Sequence, residues 1–406
     1  EKHSSNANFH PERFPNLDDA AKLLSLVAEL PNFVSEPWFQ IYLQNLEASH
    51  ALLPSFNKPD DLINRGEVAE LVDRISNNVR NRSHSAYDTT NRIFVPQVRE
   101  EVYFYPQKLS LPGLKNQKLI GTDFSIDKKI SETDNYTKYK IRYTSNRNLI
   151  SGIILIPKCL DSPLDKEECR GDLLVLNHGY YSTDIYKTGG GMKREQEYFV
   201  NQGFIVLHSD YRGHADSDPN PEDRKLYDGG LGYTMDVYNI IQAFQKYVPN
   251  SPLVKGGLGG IYMLGHSMGG AITQNIITLW PELLDGAVLY ASSGGNAWNN
   301  YERWWYRRND SFQSRISWNT PKQNPWSWNQ LSAENFYQDI QTPLLIFHGT
   351  ADAATNIGVP IWWSDRVSEK LETANKNFKY TRYPGQGHIF TGWAWTEFVE
   401  KSRDFF

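Results

Sequence analysis

Cysteine is nearly absent: a chain of 406 residues carries only Cys159 and Cys169. Two sulfurs without a neighbouring histidine do not make a structural zinc site, and no other His, Cys or Asp grouping has metal-ligand spacing. Long apolar runs are missing as well. No stretch approaches the roughly 18 consecutive apolar residues of a spanning helix, and the mean hydropathy of −0.57 is hydrophilic. Nor is there a basic excess. Lys and Arg number 42 against 47 Asp and Glu, a formal net charge of −5, which leaves no electrostatic footprint for nucleic acid. The chain also lacks a phosphate-cradling Gly-rich loop, so no cofactor is implied. It has no internal repeat, low-complexity tract or Gly/Ser linker.

What is present describes a globular chain with a large core. Hydrophobic residues make up 39% and charged residues of both signs 22%, and the length predicts a main domain plus an appendage. The first residue is Glu1 rather than Met, as expected where a signal peptide has been removed. Three N-x-Ser/Thr sequons, at Asn81, Asn135 and Asn309, would be surface acceptors in a secreted protein. Cys159 and Cys169 bracket a polar stretch, KCLDSPLDKEECRG, between two apolar runs. A disulfide there would staple a hairpin-like excursion, two free surface thiols being the alternative. An extracellular location is the expectation.

Periodicity divides the chain. Residues 17–80 repeat apolar side chains at helical spacing, with Leu17, Ala20, Ala21, Leu24, Val27 and Ala28 on one side and Leu71, Val72 and Ile75 later. Residues 1–100 are therefore expected to form a helical N-terminal appendage, and 101–406 the main domain. Strand-like runs follow at 101–105, 118–126, 137–143 and 149–156, predicting antiparallel lead-in strands. Apolar strands then alternate with helical stretches: DLLVLNHG, FIVLHSDY, GIYMLGHS, DGAVLYAS and TPLLIFHG, with a helix, a strand and a terminal helix completing the run. Continuous apolar strands spaced by helices imply a mostly parallel, doubly wound α/β sheet covered on both faces.

Chemistry concentrates at strand ends. Gly265-His266-Ser267-Met268-Gly269 follows an apolar strand and opens a helix, the context of a nucleophile elbow with Ser267 at its tip. Asp352 follows the strand LLIFHG, and His388 lies in the Gly-containing loop YPGQGH before the last helix. A serine hydroxyl needs a neutral imidazole to take its proton, and the imidazole needs a carboxylate to fix its tautomer. Ser, then Asp, then His is the order this architecture uses. An oxyanion needs two N–H donors, and Met268 and Tyr180 (in LNHGYYSTD) are the candidates, with Tyr181 as the alternative to Tyr180. His178 reads as a loop organiser, and Asp210, Arg212 and His214 as a structural ion-pair loop.

The segments NHGYY, DYRGHADSD, GHSMGG, HGTAD and PGQGH resemble the α/β-hydrolase superfamily, in particular its branch with a prolyl-oligopeptidase-like catalytic domain, over residues 118–406. The resemblance implies an α/β-hydrolase fold, with Ser267 as nucleophile, Asp352 as acid, His388 as base, and Tyr180 and Met268 as oxyanion donors. Peptidases of that branch carry a β-propeller ahead of the catalytic domain, which about 100 helical residues cannot make. Size, secretion signals and a Trp-rich insertion are also similar to secreted yeast lactone esterases that act on glycolipids. The insertion, residues 293–341, holds half of the chain's tryptophans and is expected to cap the nucleophile. Trp298, Trp304 and Trp305 are candidate substrate contacts for acyl chains or sugar rings, and Arg303, Arg307 and Arg308 for a carboxylate.

The expected activity is a secreted serine esterase acting on a bulky, lipid-like carboxylic ester, with transesterification or lactone formation if water is excluded. A serine exopeptidase is the alternative, with Glu302 as a candidate for holding a free amino terminus. A third reading keeps the fold without the chemistry.

Overall fold

The computed structural model describes residues 17–27, 39–49, 51–53, 55–56, 58–59, 63, 65–76, 84–88, 93–97, 110–161, 169–218, 231–250, 258–306, 325–354 and 358–406. Asn81, Asn309, Arg307, Arg308, Trp318 and the expected strand at 101–105 lie outside them, as do the side chains of Trp305 and Trp326. The chain divides into two units. One comprises residues 1–107 and 317–327, the other 108–316 and 328–406.

Among the described residues of the first unit three helices, α1 (Leu17–Val27), α2 (Gln40–Ala48) and α3 (Arg65–Ser76), precede a hairpin of β1 (His84–Asp88) and β2 (Ile93–Gln97). Leu17, Ala21, Leu43, Leu46, Leu52, Phe56 and Leu71 form its buried core. The hairpin is an addition to the helices the periodicity predicts. Its strands are five residues each, and β2 carries Pro96, which obscures a strand signal.

The second unit begins with α4 (Leu111–Lys115) and three long strands, β3 (Gly121–Glu132), β4 (Tyr136–Ser145) and β5 (Asn148–Pro157). Their pairing is antiparallel. Thereafter strands alternate with helices: β6 (Leu173–Asn177), α5 (Lys193–Asn201), β7 (Ile205–Ser209), α6 (Leu231–Tyr247), β8 (Ile261–His266), α7 (Met268–Leu279) and β9 (Gly286–Tyr290). After α8 (Ala297–Tyr301) and α9 (Pro325–Leu331) come β10 (Leu344–Gly349), α10 (Ile361–Thr373), β11 (Phe378–Tyr383) and α11 (Gly392–Phe405). Among the described residues nine strands make one sheet in the order β11-β10-β9-β8-β6-β7-β5-β4-β3. From β7 to β11 its neighbours are parallel.

Burial explains the arrangement. Every residue of β6, β7, β9 and β10 is buried, whereas β3 at the edge is mostly exposed. Strands covered by helices on both faces must be apolar throughout, and each buried Leu, Ile or Val contributes roughly 1.5–3 kcal/mol. The chain leaves β6 toward β7 on one side and returns to β8 on the other. That reversal makes a crevice beyond the carboxyl ends of β6 and β8, where open α/β sheets bind ligands.

Cys159 and Cys169 are joined by a disulfide across the β5–β6 connection. Closing so short a loop restricts the unfolded chain and stabilises by roughly 3 kcal/mol on an entropic account. No helix among the described residues is long and apolar enough to cross a membrane.

Candidate active site

Ser267 sits where β8 passes into α7, with φ 59° and ψ −122°. A non-glycine residue holds such a conformation only when its surroundings impose it. Here the backbone is tied on both sides: Ser267 N–H donates to Tyr290 O (3.1 Å), and Ser267 O accepts from Ser293 N–H (2.9 Å). The flanking glycines answer to close packing. A Cβ on Gly269 would lie 1.9 Å from Asn177 O, and one on Gly265 2.3 Å from Gly269 O. The elbow is thus pressed onto the end of β6, and Ser267 is 9% exposed.

Gly179, just beyond β6, faces the serine. A Cβ there would sit 3.4 Å from Ser267 Oγ, so Tyr180, the next residue, starts beside the hydroxyl. Met268 is the first residue of α7, where an N–H has no helical acceptor. Tyr180 and Met268, the residues from which oxyanion donors are expected, thus directly follow Gly179 and Ser267 in the chain.

Asp352 and His388 meet after β10 and β11. His388 Nδ1 lies 2.9 Å from Asp352 Oδ1 and 3.0 Å from Oδ2. The carboxylate also accepts from Val359 N–H (2.9 Å) and faces His348 Nε2 at 3.0 Å. Burial pushes the Asp352 carboxyl up, but hydrogen bonds from His348 and then His388 outweigh it and hold the group below its ordinary value. Asp352 is an anion at neutral pH. Ser267 Oγ makes no hydrogen bond with His388 among the described residues, a gap common before substrate binds.

Two residues that motif spacing does not reveal carry the His388 loop. His266, inside the elbow motif, lies with Nε2 3.0 Å from His388 O and its ring 4.6 Å from the His388 ring. Burial above all holds it neutral, pushed down to about 3, so its Nε2–H donates to that carbonyl. Tyr290 on β9 accepts Phe390 N–H at 2.7 Å. In register His266 pairs with Tyr290. Adjacent strands thereby clamp the backbone on both sides of Ile389.

The loops around Tyr180 rest on a buried polar assembly. His178 stacks on Tyr211 (4.2 Å), Tyr186 (4.8 Å) and His208 (5.1 Å). Asp210 accepts from Ser151 Oγ (2.6 Å), Gly189 N–H (2.8 Å) and Tyr186 OH (3.1 Å). Arg212 pairs not with Asp210 but with Asp236 of α6, through Nε (3.0 Å) and Nη2 (2.9 Å). His214 reaches Arg212 O and Tyr181 O.

Burial depresses His178 well below its ordinary value and His208 to about 3. With His266, three histidines stay neutral when folded but take up protons when unfolded, from about pH 6.5 downward. Their contribution is complete above that pH and is lost as it falls toward their folded values. Urea midpoints should therefore drop steadily from pH 7 to pH 4.5, and His208→Leu should flatten part of that slope; a midpoint constant across the range would contradict this.

The insertion starts at the elbow, since Ser293 is bonded to Ser267. Trp298 packs with Tyr301 (5.5 Å) and Trp328 (5.0 Å). Trp304 lies under the Arg303 guanidinium at 4.9 Å and edge-on to Trp363 at 6.5 Å. Arg303 Nε and Nη2 donate to Gly358 O at 3.0 and 2.6 Å, next to the Val359 amide that supports Asp352. Buried Glu334 binds Arg366 (2.8 and 2.6 Å) and Asn296 Nδ2 (2.9 Å).

A protein-family model described as "Serine aminopeptidase, S33" matches residues 172–332, less than half of the chain. No curated protein matches the sequence. An acylaminoacyl peptidase solved with Z-Gly-Gly-Phe-chloromethyl ketone superposes with a TM-score of 0.52 at 18% identity, over 67% of this chain and 41% of that one. The acylaminoacyl peptidase of Pyrococcus horikoshii gives 0.51 at 16%, with the same coverage of 67% and 41%. This chain thus spans about two fifths of those peptidases' length. A Thermoanaerobacterium acetyl xylan esterase gives 0.49 at 14%, over 70% and 88%. The fold is that of the α/β-hydrolases.

Proposed function

We propose that the chain is a secreted serine esterase acting on a bulky, lipid-like carboxylic ester. The observation that supports the chemistry is a strained serine at a strand-to-helix turn, packed against Gly179, with a histidine held by a buried carboxylate and bonded through its carbonyl to His266, the residue before the serine. In this reading Ser267 Oγ attacks the ester carbonyl as His388 Nε2 takes its proton, and Asp352 stabilises the imidazolium. Met268 and Tyr180 N–H groups receive the negative oxygen. The imidazolium returns its proton to the leaving alcohol, giving an acyl-enzyme, and water or a second alcohol then takes the acyl group.

Ester rather than peptide is favoured by the aromatic content of the insertion. Of its carboxylates Glu334 is bound twice over by Arg366 and once by Asn296, which leaves Glu302 as the candidate for a free amino terminus. Aromatic rings dominate instead, and Trp298, Trp304 and Trp305 would supply flat apolar faces to the acyl part. Secretion is supported by the disulfide and by Asn135, exposed on the turn between β3 and β4 within a sequon. A glycan would be accommodated there, and Asn81 and Asn309 are the further acceptors of this reading. The helical appendage of residues 1–100 remains a separate domain in it. The description of the matching family model favours a second reading, a serine exopeptidase, for which Glu302 would hold the amino group.

Parallel assays separate the two. Turnover of p-nitrophenyl esters should exceed that of aminoacyl p-nitroanilides by at least about 100-fold, with an optimum at medium or long acyl chains, and added alcohol should divert product from acid to ester. Faster anilide turnover would establish the peptidase; pure hydrolysis at every alcohol concentration would remove the acyl-transfer element.

A further inference from the structure

We infer that His348 is a positioning residue for the acid of the triad, its imidazole fixing the Asp352 carboxylate in the orientation that His388 requires. The inference rests on the reading of Ser267, Asp352 and His388 as a triad, and it assigns a role to a second histidine on the same carboxylate.

His348 is the penultimate residue of β10 and fully buried. Its Nε2 faces two groups that only accept, Asp352 Oδ2 and Val359 O, each at 3.0 Å. Nε2 must therefore carry the proton. Its Nδ1 lies 2.7 Å from Ser364 Oγ of α10, so both ring nitrogens are tied to neighbouring elements. Asp352 then receives three donors on two oxygens: Val359 N–H on Oδ1, His348 on Oδ2, and His388 across both.

The strand fixes His348 in place. β10 is hydrogen-bonded to β9 and β11 on either side, so His348 reaches Asp352 from the middle of three strands. Without this donor, a buried carboxylate loses one of the hydrogen bonds that offset its desolvation. It would bind a proton at higher pH, and while ionised it would draw the His388 proton more strongly. Both effects move the acid limb of the pH–rate profile upward. The other titratable groups facing this pair are His266 from β8, bonded to His388 O, and Tyr290 from β9, whose hydroxyl burial raises. Neither changes charge between pH 5 and 9.

The test compares wild type, His348→Leu, His348→Gln and Ser267→Ala on one p-nitrophenyl ester, with kcat and KM followed from pH 5 to 9. His348→Leu should lower kcat by about 10- to 100-fold at pH 6, the loss expected for one charge-assisted hydrogen bond. KM should stay within about twofold, and the acid limb should move up by about one pH unit. Gln, which keeps an N–H donor, should recover most of both. His348→Asn, polar but too short to hold Oδ2, serves the same comparison should the Leu variant fail to fold. A uniform loss at all pH with the limb unmoved, or a Gln variant no better than Leu, would overturn the positioning role. Full activity in Ser267→Ala would instead bring down the triad reading, and this inference with it.

Discussion

Ser267→Ala should lower kcat for the preferred ester by about 10⁴- to 10⁶-fold while leaving the fold intact. The two halves of that expectation come from different atoms. Turnover depends on Oγ, the only atom removed, which a Cβ on Gly179 would approach to 3.4 Å. Stability depends on the Ser267 backbone, bonded to Tyr290 and Ser293, which alanine retains. Because Oγ makes no hydrogen bond among the described residues, its loss strands no buried partner, and the urea midpoint should shift by the equivalent of less than about 0.5 kcal/mol. Steady-state kinetics and urea unfolding of the same preparation decide the matter. Turnover surviving at wild-type level would mean another nucleophile; a collapsed midpoint would mean that the elbow needs the hydroxyl structurally.

Much of this site could be read from the chain because its parts sit at strand ends. The runs DLLVLNHG, GIYMLGHS and TPLLIFHG are apolar for their whole length since helices cover both faces, and each run breaks into polar residues where the strand leaves the sheet. Those breaks put Tyr180, Ser267 and Asp352 forward. What the chain hides depends on register. His266 reaches the His388 carbonyl, and Tyr290 the Phe390 amide, because β8 and β9 lie side by side with these two residues opposite each other. No spacing rule links position 266 to position 388. The same holds for Arg212, which meets Asp236 of the following helix. The insertion is the least legible part: its tryptophans advertise apolar surface, but Trp298 is engaged with Tyr301 and Trp328, contacts that composition alone could not distinguish from substrate contacts.

Asp352→Asn should be nearly as severe as loss of the serine, lowering kcat by about 10⁴-fold. The substitution preserves shape, so its effect isolates the proton inventory. Val359 N–H, His348 Nε2–H and His388 Nδ1–H all donate to the carboxylate. An amide offers one oxygen and one NH₂ group, so at least one of the three donors must face a donor. If the oxygen turns to Val359, the NH₂ takes the Oδ2 side, against His348 Nε2–H and one of the two His388 contacts, so one of the histidines must turn an acceptor nitrogen to it; where that is His388, its proton moves to Nε2. A proton on Nε2 cannot leave room for that of Ser267, and the base is lost. The alternative flip keeps the His388 tautomer but sets NH₂ against the Val359 amide, loosening the loop that Arg303 also holds through Gly358. Asp352→Ala avoids the forced tautomer, and with water admitted to the vacated space it should retain more activity than Asn at high pH. Measuring both variants from pH 6 to 9 distinguishes these outcomes: Asn less active than Ala supports donor conflict at this carboxylate, whereas equal losses would leave charge alone as the contribution of Asp352.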